Sequence, residues 1–436
     1  MRKNKHNKTG DKNMNIDIEF LKQTFKNNDD FIVREIKLKK GKIYIAFFES
    51  LTDTQNIYNY IIKHIYNSFD SKNKIKSVQS VIGGPKITKV ETDGDLFNLL
   101  ENGFCLIFYK DEKYAIEVKA NIDRGITISQ SEPNMFGPKD SFCENYQKNL
   151  GVIKRRIKTQ SLKVDSITRG TYTKTKISLI YLEDKVDKKA LKKIKNRINE
   201  NADKEVLDSY DLSKELELNK VFPTLMKTEK PALASNYILQ GKIIVLIDNT
   251  PFVLIIDAKL NDFVNPSTTD KFVKILRFIC LFMTILTPAL YIALINFNQE
   301  SIPPSLLINF SQQRSGVPFP AIVEAVIMLF ICEILRETDL RFPNSYGSSA
   351  SILGALILGD AAVQAGIVSP IMIIIVAISF ITSLIFTDIK LVSSIRIMRA
   401  SFLLIASILG LYGLSVAFII AMFIIANVKM YGGEYL

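Results

Sequence analysis

The sequence predicts an α/β soluble region of two similar α/β subdomains, followed by an all-α polytopic membrane domain of four to five transmembrane helices. Three observations predict it. Charge is concentrated in the first part of the chain and apolar residues in the last. Two stretches of the first part repeat each other at nearly constant spacing. The last part carries apolar runs long enough to span a bilayer.

The chain has 436 residues, with 56 Lys+Arg and 44 Asp+Glu. Residues 273–436 hold nine and eight of these, which leaves 47 and 36 in residues 1–272 and nearly all of the net +12. A basic region that runs into apolar segments suits an anionic membrane surface, or is a Lys-rich solvated surface with no partner. No nucleic-acid motif accompanies it, so no nucleic-acid partner is expected. The first 16 residues are basic and lack an apolar stretch, which predicts a solvated, disordered tail rather than a signal peptide.

The soluble region divides into subdomain 1 (17–130), a connector helix (131–160) and subdomain 2 (161–270). KIYIAFFESLTD (42–53) matches KISLIYLEDKVD (176–187) at an offset of 134, pairing Lys42 with Lys176, Glu49 with Glu183 and Asp53 with Asp187. NGFCLIFYKDEKYAIEVKA (102–120) parallels QGKIIVLIDNTPFVLIIDAK (240–259), pairing Gly103 with Gly241 at an offset of 138. Each copy reads as a strand, a polar break, a helix and a hairpin. In the connector, Asp140 or Ser141 is placed to cap a helix that runs to about Ile157, with Arg155 and Arg156 near its C-terminal end.

The membrane domain (271–436) has expected spans at 276–296, 318–336, 350–368, 370–387 and 401–427. Ser369–Pro370 marks either a hairpin, giving five spans and an external C-terminus, or a break within one crossing, giving four. Basic loops slightly favour five, with the soluble part on the cytoplasmic side.

Within 350–368, Leu353, Ile357, Asp360, Gln364 and Val368 form one helical stripe. Small residues crowd the other faces, among them Gly354, Gly359 and Gly366, and predict close helix packing. An acid at such a depth faces a bundle interior or a water path. Asp360 is therefore the leading site residue and Gln364 its polar neighbour, with Leu353 and Ile357 as a hydrophobic gate. Glu324 and Glu333 lie on opposite faces of their helix. Glu333 is expected to pair with Arg336 three residues on, whereas Glu324 has no local partner.

Nothing points to catalysis. No phosphate loop, nucleophile–base pair or paired carboxylates occur, so the chain does not read as an enzyme. With two histidines and four cysteines lacking CxxC spacing, no metal or other cofactor is expected, and a reducing compartment fits.

RSGVPFPAIVEAVIM and EILRETDLRFP (within 314–343), GALILGDAAVQAGIVSP (354–370) and ILGLYG (408–413) resemble the GerA-type spore germination receptor A subunits. So do GPKDSFCENYQKNLGVIKRRIK (137–158) and FPTLMKTEKPALASNYILQGKIIVLIDNTPFVLI (222–255). The resemblance covers nearly the whole chain after about residue 17. It implies a multi-pass protein of the spore inner membrane whose copies form a pentamer, a nutrient-gated cation channel. Its partners would be membrane lipid, a transporter-like B subunit that binds the nutrient and a C-subunit lipoprotein. In that family the acid often falls at 364 and the amide at 360, the reverse of the order here, and members continue in a polar tail past the position of Leu436. An accessory paralogue of SpoVAF type, linked to ion and dipicolinate release, fits the same motifs. From the residues alone, a small-solute transporter using Asp360 and Glu324, or a non-conducting scaffold, also fits.

Overall fold

The computed structural model describes residues 18–38, 41–70, 82–84, 86–90, 93–109, 112–120, 138–266, 271–341 and 359–435. The chain falls into two units. One comprises residues 1–216 and 227–257, the other 217–226 and 258–436.

The first unit holds two five-stranded antiparallel sheets. Helix α1 (Ile18–Thr24) precedes the hairpin β1 (Phe31–Leu38) and β2 (Gly41–Phe48). Helix α2 (Thr54–Ile57) passes through a π-turn at Tyr58–Ile62 into α3 (Lys63–Asp70). Then come β3 (Ile87–Lys89), α4 (Asp93–Glu101) and the hairpin β4 (Phe104–Tyr109) and β5 (Glu112–Glu117). Side chains alternate across the sheet, as period-two geometry requires. Ile43, Ile45 and Phe47 join one core cluster and Ala46 and Phe48 the other. Burying a side chain such as Ile45 contributes about 1.5–3 kcal/mol.

After the connector helix α5 (Tyr146–Arg156) the pattern repeats. It runs β6 (Leu162–Arg169), β7 (Thr175–Leu182), α6 (Lys188–Glu200), α7 (Ser209–Leu216), β8 (Leu225–Thr228), α8 (Pro231–Leu239), β9 (Ile244–Ile247) and β10 (Val253–Ile256). The strand orders are β1-β2-β4-β5-β3 and β6-β7-β9-β10-β8, the same order twice. The register repeats as well. Ile43 faces Tyr109 and Ala46 faces Leu106, while Ile177 faces Ile247 and Ile180 faces Ile244. These are the offsets 134 and 138 of the sequence match. Asp53 and Asp187 each cap the following helix, accepting from Gln55 N–H and Lys189 N–H at 2.8 Å. Gly103 and Gly241 have φ of +80° and +90°, and a Cβ at either would stand 2.8 Å from a carbonyl oxygen, of Leu51 or Lys185. Both positions demand glycine for the same reason.

The connector differs from its expected capping. Asn145, not Asp140 or Ser141, is the N-cap, because its side-chain oxygen reaches Lys148 N–H at 3.0 Å. Asp140 instead receives Arg156 at 2.5 Å. The subdomains are joined through residues 24–30. Asn28 bridges Val164 on edge strand β6, Lys163 donates to Thr24 C=O at 2.8 Å, and buried Lys154 of α5 meets buried Asp30. Burial pushes the Lys154 ammonium below the ordinary lysine range, and Asp30 opposes that shift.

In the second unit, α9 (Leu260–Val264) leads to α10 (Lys271–Phe297), with Pro288 inside it. Then follow α11 (Pro304–Arg314), α12 (Ala321–Arg341), a helical stretch at 359–364, α13 (Pro370–Ser383) and α14 (Ile389–Ala426). Among the described residues two helices, α10 and α14, are long and apolar enough to cross a membrane, with mean hydropathies of 2.4 and 2.6. The shorter α13 is also apolar.

The last expected span, 401–427, is interrupted. Gly410 has φ 61° and ψ −145°, so α14 folds back on itself there. A Cβ at Gly413 would come within 3.0 Å of Ile405, eight residues earlier. In a straight helix that separation is about 12 Å. The reversal fits because Gly410 lies against Phe297 at the end of α10, where a Cβ would come within 2.8 Å. The chain then returns until Tyr435 C=O accepts Leu260 N–H at 3.0 Å.

Candidate functional site: acids and bases of the C-terminal helices

Three acids of the apolar region find three different environments. Glu324 lies in the first turn of α12 and is fully buried. Its Oε2 accepts from Ser369 N–H at 2.9 Å and from Ser369 Oγ–H at 2.7 Å. Ser369 is the N-cap of α13, so a carboxylate stands at a helix N-terminus whose first N–H groups have no partner within the helix. Arg314, at the end of α11, brings Nε to 3.5 Å from Glu324 Oε1. Ala321, Ala325, Val368, Met372 and Tyr291 close an apolar shell around this contact.

Glu333 does not pair with Arg336. Its Oε1 accepts from Arg399 at 3.0 Å, and Arg396 Nε lies 2.9 Å from its Oε2 as an ion pair. The reason is helix packing. Arg396 and Arg399 are three apart on α14 and so share the face that meets α12. Arg336 turns to α13 instead, donating to Ser383 C=O at 3.3 Å with its guanidinium 5.8 Å above the Phe380 ring. Arg399 also reaches Ser379 Oγ at 3.3 Å. Ser379 donates to Thr284 C=O, and Thr284 to Thr382, so hydroxyls of α10 and α13 extend the polar contact.

Asp360 is different. It and Gln364 are exposed, and Gln364 Nε2 donates to Asp360 Oδ2 at 2.7 Å across one helical turn. Among the described residues no cation pairs with Asp360. The helix ends soon after. Gly366 adopts φ +64°, Ile367 N–H reaches Ala362 C=O and Gly366 N–H reaches Val363 C=O, a Schellman termination. Gly366 therefore stops the helix rather than packing it against a neighbour. A Cβ there would lie 3.1 Å from Gly316 C=O, which seats the turn on the loop before α12. A Cβ at Gly359 would meet nothing within 4 Å among the described residues. Leu353, Gly354 and Ile357 lie outside the described residues.

The structure thus separates Glu324, Glu333 and Asp360 rather than joining them in one site. Arg396 and Arg399 lie outside the expected span 401–427 yet belong to α14. Their three-residue spacing was the available signal. Among the described residues, no group of three or more His, Cys, Asp or Glu is placed to hold a metal ion.

Comparison with known proteins gives the setting. The chain is 33% identical over 430 residues to spore germination protein KA of Bacillus subtilis (strain 168), covering 94% of this chain and 78% of that protein. It is 30% identical over 412 residues to spore germination protein GerQA of Bacillus cereus, covering 91% and 82%. Spore germination protein A1 of Bacillus subtilis (strain 168) is 29% identical over 422 residues, covering 94% and 87%. The crystal structure of the N-terminal domain of the A subunit of the Bacillus megaterium spore germinant receptor GerK3 superposes with a TM-score of 0.40 and 23% identity, over 55% of this chain and 92% of that one. The model of the Bacillus/Clostridium GerA spore germination protein family matches residues 19–436, and the chain belongs to that family.

Proposed function

We propose that the chain is the A subunit of a nutrient germinant receptor in the spore inner membrane. Copies of it, five in the expected ring, surround a germinant-gated cation path lined by Asp360. The observation that carries this reading is the contrast among the acids. Glu324 and Glu333 are satisfied inside one subunit, whereas among the described residues Asp360 shares only the Gln364 amide and stays exposed. An exposed carboxylate in an apolar region calls for water or partner chains beside it. A ring of such carboxylates favours cations.

The helix arrangement suits four full crossings: α10, α12 and the two halves of α14. The 359–383 stretch would enter and leave from one side as a hairpin, since α13, at 14 residues, spans about 21 Å against a hydrocarbon core of about 30 Å. Non-helical backbone is tolerated at membrane depth where protein or a water-filled cavity surrounds it. An even number of crossings returns the C-terminus to the end at which Leu260 stands, which the Tyr435 contact supports. The basic end faces the cytoplasm, and the B subunit and C lipoprotein complete the receptor.

The test is the reversal potential of the reconstituted channel. Asp360→Asn lowers the cation-to-anion permeability ratio toward one. An unchanged ratio removes Asp360 from the pore.

A further inference from the structure

Three guanidiniums converge where α12, α13 and α14 meet: Glu333 pairs with Arg396 and Arg399, and Arg336 turns to the Ser383 carbonyl. Arg399 is almost wholly buried and holds Glu333 Oε1, while the Arg396 side chain is 37% exposed and has no aligned acceptor for its Nε–H. Arg336, half-buried, spends one N–H on the Ser383 carbonyl. Glu337, the next acid on α12, is exposed. Free donors therefore remain on Arg336 and Arg396. Leu384, which follows Ser383 at the end of α13, and Ile397, next to Arg396 on α14, are each more than half exposed. A forked cation beside exposed aliphatic side chains fits a molecule with an anionic oxygen cluster at one end and hydrocarbon at the other.

We propose that Arg336 and Arg396 bind the phosphate of an anionic phospholipid, whose acyl chains lie along Leu384 and Ile397. The proposal rests on these helices being membrane helices and is independent of any conduction through Asp360. Guanidinium donors match phosphate oxygens bidentately, and basic pockets between membrane helices take anionic headgroups. Arg399 is not part of the site, because Glu333 and Ser379 use it. It holds the floor in place.

The experiment uses the full chain in detergent, with native mass spectrometry and thermal melting. Phosphatidylglycerol, phosphatidylcholine and inorganic phosphate are titrated separately. Phosphatidylglycerol is expected to give retained adducts and a raised Tm, whereas phosphatidylcholine and phosphate give neither. In the double variant Arg336→Gln, Arg396→Gln, the adduct ratio of phosphatidylglycerol to phosphatidylcholine falls to about one. The Arg399–Glu333 bond is untouched, so the fold should hold. If the double variant fails to fold, Arg396→Lys keeps the charge but not the fork and lowers the same ratio. Equal retention of both lipids by the unaltered chain overturns the proposal. So does an equal effect of inorganic phosphate, which would make this a free-anion site, or a lipid preference that survives in the variants.

Discussion

Glu324 Oε2 accepts both donors of Ser369, the backbone N–H and the hydroxyl, across 45 residues of sequence. The contact fixes the turn between the Asp360 helix and α13. Glu324→Ala removes a buried charged acceptor and is expected to cost about 2–3 kcal/mol. Glu324→Gln keeps one acceptor oxygen and costs less. Thermal melts of the full chain in detergent should rank the unaltered chain, Gln and Ala in descending order. Equal melting of all three would show that Ser369 is held by something else.

Glu333 and Arg399 form a pair in which the arginine is buried. Leu at position 399 leaves Glu333 with Arg396 alone and should cost about 3 kcal/mol, within the range for breaking a buried pair. Removing both charges, with Leu at 333 and 399, should recover much of that loss. A double-mutant cycle on the melting of the full chain measures the coupling, and additivity of the two single losses would refute it.

Gly103 and Gly241 make parallel demands on their halves. Ala at either site meets both a left-handed φ and a carbonyl oxygen at 2.8 Å. Each substitution should destabilise the soluble region by about 1–3 kcal/mol. Local hydrogen exchange should rise around Leu51 in the first case and around Lys185 in the second.

Glu205 accepts the backbone N–H groups of Thr171, Tyr172 and Thr173, which hold its carboxyl down to about 2 from an ordinary 4.5. The folded form therefore binds fewer protons than the unfolded chain between those values. Its contribution is fully present above about pH 4.5 and is lost as the pH falls through about 2. Amide protection of residues 171–173, corrected for intrinsic exchange, should fall over that window. Glu205→Gln should abolish the pH dependence.

The duplicated subdomain was legible because its markers are local. Asp53 and Asp187 cap α2 and α6, and Gly103 and Gly241 make the turns from α4 into β4 and from α8 into β9, so short matches carried the register of both sheets. The contacts of the C-terminal helices were not legible. Arg396 and Arg399 looked like the edge of a span because charge ordinarily marks one, and only the packing of α12 on α14 shows that Glu333 admits them into the helix. The partner of Glu324 lies far along the chain, beyond any periodicity. Gly410 sits in an unbroken apolar run, and hydropathy carries no information about a positive φ.

At Gly410 the reversal of α14 has no slack. A longer loop would let the two halves slide lengthwise past each other, but one residue outside helical geometry does not. The two halves meet at one residue set against Phe297, and the second half leads directly to the terminal segment that Tyr435 pins to Leu260.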